Sequence, residues 1–310
     1  MREKKRSVQR LRGSITPAAK KAGLLFLFLL LFFAADAKAG VVKVTFDPSD
    51  DALAGSRYDI RGMAVLTEGN KTYILIASNM PDPLNGNPGH ESLNSPHKFI
   101  ARGDILINLN CANETLFDSS KNNHLYGIRF DPENESGVQG LGVYKDVMAK
   151  SVALNNYGPK DLAQYLNLAP SAKEGDFSKK EMITLRGLQN KPLNMIDKGM
   201  KIGDVKVLSA AQLPNFEGFN LDSFKGKHNV FGVEFNTSLL NLESTSWCAH
   251  YAMECFNDSI GQEHIIPEIP QNFALVSLFM VLMTGTILFL RQRLQYRGLD
   301  GNLNSEAMKA

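Results

Sequence analysis

Two apolar runs bracket this chain, and together they decide which part of it is free to fold in water. The first, Leu24 to Ala35 (LLFLFLLLFFAA), follows a leader with Arg2, Lys4, Lys5, Arg6, Arg10, Arg12, Lys20 and Lys21 against a single acid, Glu3. Its length suits the apolar stretch of a secretory signal and is short for a bilayer span. It closes on two overlapping small-x-small sites, Ala35-Asp36-Ala37 and Ala37-Lys38-Ala39. Signal peptidase is therefore an expected partner, cutting after Ala37 or Ala39. The second run, Phe273 to Leu290, is 18 residues without a charge. As a helix it would be roughly 27 Å long, enough to cross a hydrocarbon core. Arg291, Arg293 and Arg297 follow it, so the positive-inside rule places residues 294–310 in the cytoplasm as a short tail. A buried core helix would need a polar stripe, which Ser277, Thr284, Gly285 and Thr286 do not form.

Setting the leader aside reverses the charge. The whole chain has 34 basic and 32 acidic side chains, of which residues 1–39 hold nine and two. Residues 40–266, the expected extracytoplasmic domain, hold 21 Lys/Arg against 27 Asp/Glu, a net charge of −6. The basicity of the full chain belongs to a targeting segment. No basic stripe remains to suggest nucleic acid as a partner.

Within that domain the pattern is that of strands. Tyr73 to Ala77 is a nearly continuous apolar run, while Val42/Val44/Phe46 and Ile105/Ile107/Leu109 alternate with polar neighbours. Glu68-Gly69-Asn70 reads as a hairpin turn, and residues 79–98, rich in proline and glycine, as a long surface loop. Further strands are expected at 125–131, 141–152, 204–209, 229–236 and 246–255. Helical periodicity is confined to 160–168 and 178–189, where Ser178 with Glu181 would form a capping box. The expected fold is mainly β: a jelly-roll-like β-sandwich with a small helical insertion, followed by a transmembrane helix at 273–290.

Three cysteines, Cys111, Cys248 and Cys255, fall in the exported part, an odd number for an oxidising compartment. Cys248 and Cys255 lie seven apart, on opposite faces of a flat strand, so bridging them needs a turn between. The Cys248–Cys255 pair is the expected disulfide, with Cys111 to either partner as the alternative. The Cys-x6-Cys spacing is not that of a zinc site, and no metal ligand set or cofactor is assigned. The acidic loop Asp131 to Gly137 (DPENESG) has carboxylates at alternate positions, but its glycine is one place late for a calcium-binding loop. No nucleophile elbow, His-Glu-x-x-His, phosphate loop or dinucleotide fingerprint is present, so no catalytic residue is assigned.

The segment before the second apolar run is Pro267-Glu268-Ile269-Pro270. This element, the apolar run and the Arg291/Arg293 cluster resemble, in that order, the PEP-CTERM sorting signal of bacterial surface proteins. Ile269 stands in the third motif position and Pro270 is displaced by one. The resemblance makes residues 267–293 the sorting signal. It implies that exosortase, a membrane protease-transpeptidase, cuts near these prolines. The prolines suit such a cut, since they keep the segment out of the helix and its backbone extended. From Tyr58 onward the body of the chain is similar to the exosortase-dependent surface proteins of the XDD type. The pieces that carry this likeness are Tyr58/Gly62/Met63, Gly103-Asp104, Gly142-Val143-Tyr144 with Ala149-Lys150-Ser151, and Glu254-Cys255 before Asn257-Asp258. Phe256 stands where glycine or another residue is expected.

The resemblance implies a non-catalytic protein, membrane-held by its C-terminal helix before processing and then sorted to the cell surface or extracellular matrix. Extracellular polysaccharide is the partner such a setting offers. Two other classes stay open: a carbohydrate-binding module, for which Trp247 is the one tryptophan, and a secreted glycan-acting hydrolase with scattered carboxylates. The mature N-terminus is expected at Lys38 or Gly40, to be checked by N-terminal sequencing of exported protein. A chain beginning at Met1 would refute it.

Overall fold

The computed structural model describes residues 41–47, 52–53, 56–81, 90–91, 99–168, 191–240, 246–265 and 283–291. Its first compact unit, ending at His264, is mainly β, with two antiparallel sheets and few helices. The strands are β1 (Val41–Phe46), β2 (Ile60–Glu68), β3 (Lys71–Ser78), β4 (His90–Glu91), β5 (Phe99–Ile100), β6 (Ile105–Asn108) and β7 (Leu125–Arg129). They continue with β8 (Gly142–Lys150), β9 (Met195–Gly203), β10 (Lys206–Ser209), β11 (Asn229–Asn236), β12 (Ser246–Ala252) and β13 (Ser259–Ile265). One sheet has the order β1-β2-β3-β11-β10 and the other β13-β12-β6-β7-β8-β9, while β4 and β5 pair apart.

Burial explains why these segments read as they do. Gly69, at φ +60°, turns the chain from β2 into β3 where a side chain would be strained. β3 lies between β2 and β11 and is buried from Thr72 to Ser78, so its sequence is a continuous apolar run and not an alternation. On one face Ala64, Leu66, Tyr73, Leu75 and Ala77 pack with Leu208, Phe224 and Val230 under the helix Leu221–Lys225 and its approach, Phe216 and Phe219. Residues of opposite parity, Met63, Val65, Ile74, Ile76, Phe231 and Val233, are buried as well. In the second sheet Leu106, Leu125, Tyr144, Val147 and Ile196 share a cluster with Leu116, the first residue of the helix Leu116–Lys121. That helix is closed by a Thr115/Asp118 capping box. Phe130, next after β7, stacks on Phe231 of β11 at 5.5 Å, and Tyr251 of β12 meets the same ring at 6.0 Å. Aromatic pairs of this kind add ~0.5–1.5 kcal/mol to the burial of each ring.

Four strands lie where no strand was expected: the two-residue pair β4 and β5, of which β4 falls within the expected loop 79–98, and β9 and β13. β9 (MIDKGMKIG) ends the second sheet, and most of its side chains are partly or fully exposed, so hydrophobic pattern alone does not mark it. It pairs with β8 through shifts of register around Asp146, which sits at φ +52°. β13 follows directly on the Glu254–Asp258 turn and forms the opposite edge. The helix Leu162–Leu168 falls within the expected 160–168. The helix expected at 178–189 lies outside the described residues.

The second unit runs from Ile265 to Ala310, and within it residues 283–291 are helical. Met283, Ile287, Leu288, Phe289 and Leu290 are each about half exposed there or more. No helix among the described residues is long and apolar enough to cross a membrane. The expected span 273–290 falls only partly on them.

The disulfide differs from the expected pair. Cys111 is bonded to Cys248, and Cys255 is free and buried. The reason is register: β12 runs antiparallel to β6 with Cys248 opposite Asn108, and Cys111 lies three residues beyond Asn108 at that same end. Cys255 lies past the other end of β12, where burial pushes its thiol up to about 12. A disulfide is the mark of an oxidising, extracytoplasmic compartment. Non-reducing peptide mapping is expected to recover Cys111 joined to Cys248, with Cys255 alkylated only after unfolding. In the chain-entropy picture a link across 137 positions stabilises by about 4–5 kcal/mol. Replacing Cys111 and Cys248 by alanine is expected to lower the unfolding free energy measured in urea by an amount of that order.

Candidate functional site

A buried polar network occupies one end of the second sheet and begins at Arg102, which is wholly buried. One terminal N–H of its guanidinium donates to Asp131 at 2.7 Å, and two others donate to the Pro81 carbonyl. The same guanidinium lies 5.9 Å from the centre of the Phe231 ring. Asp131 also accepts the Glu133 N–H at 3.0 Å. Asn134 donates to the Arg102 carbonyl and to Asp104. The acidic loop Asp131–Gly137 thus turns its polar groups onto protein donors. Glu135, for instance, accepts from Asn156 at 2.6 Å. Among the described residues no group of three or more His, Cys, Asp or Glu is placed to hold a metal ion.

Two carboxyls in the network are held well above the usual range. Burial pushes Asp104 up to about 6, although it accepts from Ile196 N–H at 2.8 Å and from Asn134. Burial likewise pushes Glu254 up to about 7, against N–H donors from Ala101 at 2.8 Å and Glu135 at 2.7 Å. Raised carboxyls of this kind are the first candidates for acid–base chemistry. Here both are 0 % exposed and tied to backbone, so what they do is fix loops in place. Asp258 acts in the same way, accepting the Ile60 N–H at 2.6 Å. His250 is held down to about 4 by burial and is neutral at pH 7, its ring stacked on Phe256.

Asn194 joins these parts. Its side-chain NH2 donates to the Met253 and Glu254 carbonyls, both at 2.8 Å, and its side-chain oxygen accepts the Val152 N–H at 3.1 Å. Its backbone bonds Lys150 and Asp104. It was missed in the sequence, where the available signal was one asparagine inside the apolar stretch Leu193-Asn194-Met195-Ile196.

The two segments that Asn194 clasps form the walls of a cleft of about 390 Å³. One wall is the short 3-10 turn Ala153–Asn156 with Tyr157, Gly158 and Pro159, continued by Gln164 and Leu168 of the helix Leu162–Leu168. The other is Asn257, with Leu53, Tyr58 and Ile100. The walls touch at Gly158, where a Cβ would overlap the Cys255 carbonyl oxygen. Both walls hold a non-glycine residue in left-handed backbone, Tyr157 at φ +62° and Phe256 at φ +48°. Such residues cost about 1–2 kcal/mol, and bulky ones rarely adopt the conformation. Phe256, at the position where glycine was one expectation, is compensated by complete burial and an edge contact with Tyr165 at 5.3 Å. Tyr157 is 65 % exposed.

The residues singled out in the sequence divide sharply. Gly103-Asp104, Glu254-Cys255 and Asn257-Asp258 meet in the network and at the cleft, and Tyr58 lines the cleft. Trp247 is 1 % exposed and offers no open ring to a sugar. Arg291 ends the described C-terminal helix, whereas Ala37, Ala39, Pro267, Glu268, Ile269, Pro270 and Arg293 lie outside the described residues. No family model matches the chain, and no curated protein or solved structure matches it either.

The raised carboxyls set a pH dependence with a definite sign. Folded Glu254 and Asp104 hold their protons to higher pH than the unfolded chain does. The stability they contribute is complete below about pH 4 and is lost as pH rises through about 6 and 7. Urea unfolding of the wild type is expected to weaken between pH 4.5 and 7.5 by up to about 3 kcal/mol relative to Glu254→Gln. Equal slopes in the two proteins would show that Glu254 ionises without penalty.

Proposed function

We propose that the protein is a non-catalytic, exported surface protein, sorted through its C-terminal segment into the cell surface or extracellular matrix of a bacterium. The observation that carries this reading is the Cys111–Cys248 disulfide, which lies between the two apolar runs and marks an oxidising compartment for residues 40–266. The buried carboxyls support it from another side, because the perturbed acids at the network serve backbone N–H groups and none is exposed. The same reading takes the two sheets as the layers of one sandwich, with the Phe130, Phe231 and Tyr251 rings between them. It is jelly-roll-like in its facing sheets and meandering within each, since β1–β3 and β6–β9 run through neighbouring positions.

In this reading signal peptidase removes residues 1–39, the apolar run 273–290 holds the chain in the membrane, and exosortase cuts near Pro267-Glu268-Ile269-Pro270. Each apolar side chain buried in lipid contributes ~1.5–3 kcal/mol, so escape without the cut is negligible. Cutting frees a domain of net charge −6. Changing Pro267 and Glu268 to alanine is expected to leave the protein membrane-bound, heavier by the tail and missing from the surface matrix. Cell fractionation with mass spectrometry of C-terminal peptides checks this. Wild-type envelope protein that still carries Phe273 to Leu290 would make the chain a single-pass membrane protein instead.

A further inference from the structure

We infer that the cleft between Tyr58, Tyr157 and Asn257 is a binding site for a neutral saccharide. Ten of the described residues line it and none of these carries a charge: the surfaces are two tyrosines, two leucines, proline, isoleucine, glycine and three side-chain amides. Its volume of about 390 Å³ is within the range of small-ligand clefts, roughly 300–1,000 Å³.

The polar groups point to a ligand that can hydrogen-bond. Asn257 is 8 % exposed, yet nothing among the described residues bonds its side-chain amide. The open side available to that amide is the cleft it lines, so a ligand that fills the cleft must hydrogen-bond the amide or leave it unpaired. Gln164 uses its oxygen to accept the Lys160 N–H at 2.7 Å, and its NH2 group has no partner among the described residues. The third amide, Asn156, is already engaged by Glu135 and Val152, so it serves as a fixed wall.

The apolar groups narrow the class. Tyr157 keeps a left-handed backbone, with φ +62° and ψ +18°, while 65 % of the residue faces solvent. That backbone closes the Ala153–Asn156 turn as its C-cap, a place where glycine is usual, and core packing does not explain why an exposed tyrosine stands there; strain kept at an exposed aromatic points to function. A pyranose ring matches what the cleft offers, with an apolar C–H face for a tyrosine ring and hydroxyls for the free amides. A carboxylated or sulfated sugar would find no cation among the described lining residues, and a purely apolar ligand would leave Asn257 unpaired.

The surface-protein reading suggests only where such a sugar is met; the site stands on its own geometry. The test uses the full chain, purified in a detergent without a sugar headgroup. Probes are neutral gluco-, galacto- and manno-oligosaccharides, with uronic-acid oligomers, sulfated oligomers and unstructured peptides beside them, each titrated by calorimetry. At least one neutral oligosaccharide is expected to bind, and Tyr157→Gly and Asn257→Ala are each expected to weaken it at least tenfold. Glycine accepts the left-handed backbone, so Tyr157→Gly is expected to keep or raise the urea midpoint, which separates a lost ligand contact from a lost fold. Absence of neutral-sugar binding, binding confined to acidic sugars or peptides, or affinity unchanged in Tyr157→Gly would each overturn the assignment. Tail processing plays no part in this assay, so its outcome is independent of the sorting experiment.

Discussion

Asn194 is the point on which the far end of the second sheet depends. It stands one residue before β9, and its five hydrogen bonds reach Lys150, Val152, Asp104, Met253 and Glu254. These partners come from β8, the approach to β6 and the turn after β12; a backbone bridge of Arg102 with Met253 joins the last two, and Asn194 ties the end of β8 to them. An asparagine suits the place because its amide offers a donor and an acceptor on one rigid plane. Aspartate would lose the two bonds to the Met253 and Glu254 carbonyls and set a charge against them. Leucine would leave the Val152 N–H and the Glu254 carbonyl unsatisfied, each at a penalty of about 1–3 kcal/mol, while the Met253 carbonyl would keep the Phe256 N–H.

Around that clasp the protein keeps charges where apolar side chains would pack more simply. Arg102 and Asp131 form an ion pair with almost no solvent contact. The desolvation of two such ions offsets much of their attraction, and a pair of this type is poor evidence for stability by itself. Its geometry does something else. The planar guanidinium reaches the Pro81 carbonyl, the Asp131 carboxylate and the face of Phe231 together, so one side chain sets the relative position of three chain segments. Asp104, Glu254 and Asp258 repeat the logic with carboxyls, each accepting a backbone N–H from a segment far off in sequence. Backbone donors there are satisfied by carboxyls because the segments end their ladders too early to satisfy one another.

The cleft is a by-product of this bracing that has been given its own chemistry. Gly158 lets the 153–158 turn lie against the Cys255 carbonyl, and the Asn194 amide holds the two walls at that separation. Tyr157 and Phe256 share an unusual backbone conformation, but one ring is buried against Tyr165 and His250 while the other is left open to solvent. Packing accounts for the first. It does not account for the second.

How much of this was legible follows from the range of each interaction. Strands β2, β3, β6, β7, β8, β11 and β12 were readable because burial on one or both faces writes itself into local sequence, as in Tyr73 to Ala77. The mainly β character needed only neighbouring residues, so the sequence by itself determined it. β9 escaped because an edge strand with exposed lysines carries no apolar signature. The disulfide partner of Cys248 escaped for a different reason: Cys255 is near in sequence, but antiparallel register brings Cys111 beside Cys248 across 137 positions. The same holds for the network, in which Gly103-Asp104, Asn194 and Glu254 are distant along the chain and adjacent in space. Local pattern records what a residue's own segment buries. Which segments then lie side by side, and so which distant backbone groups the buried acids reach and which residues line one cleft, was decided only when the sheets paired.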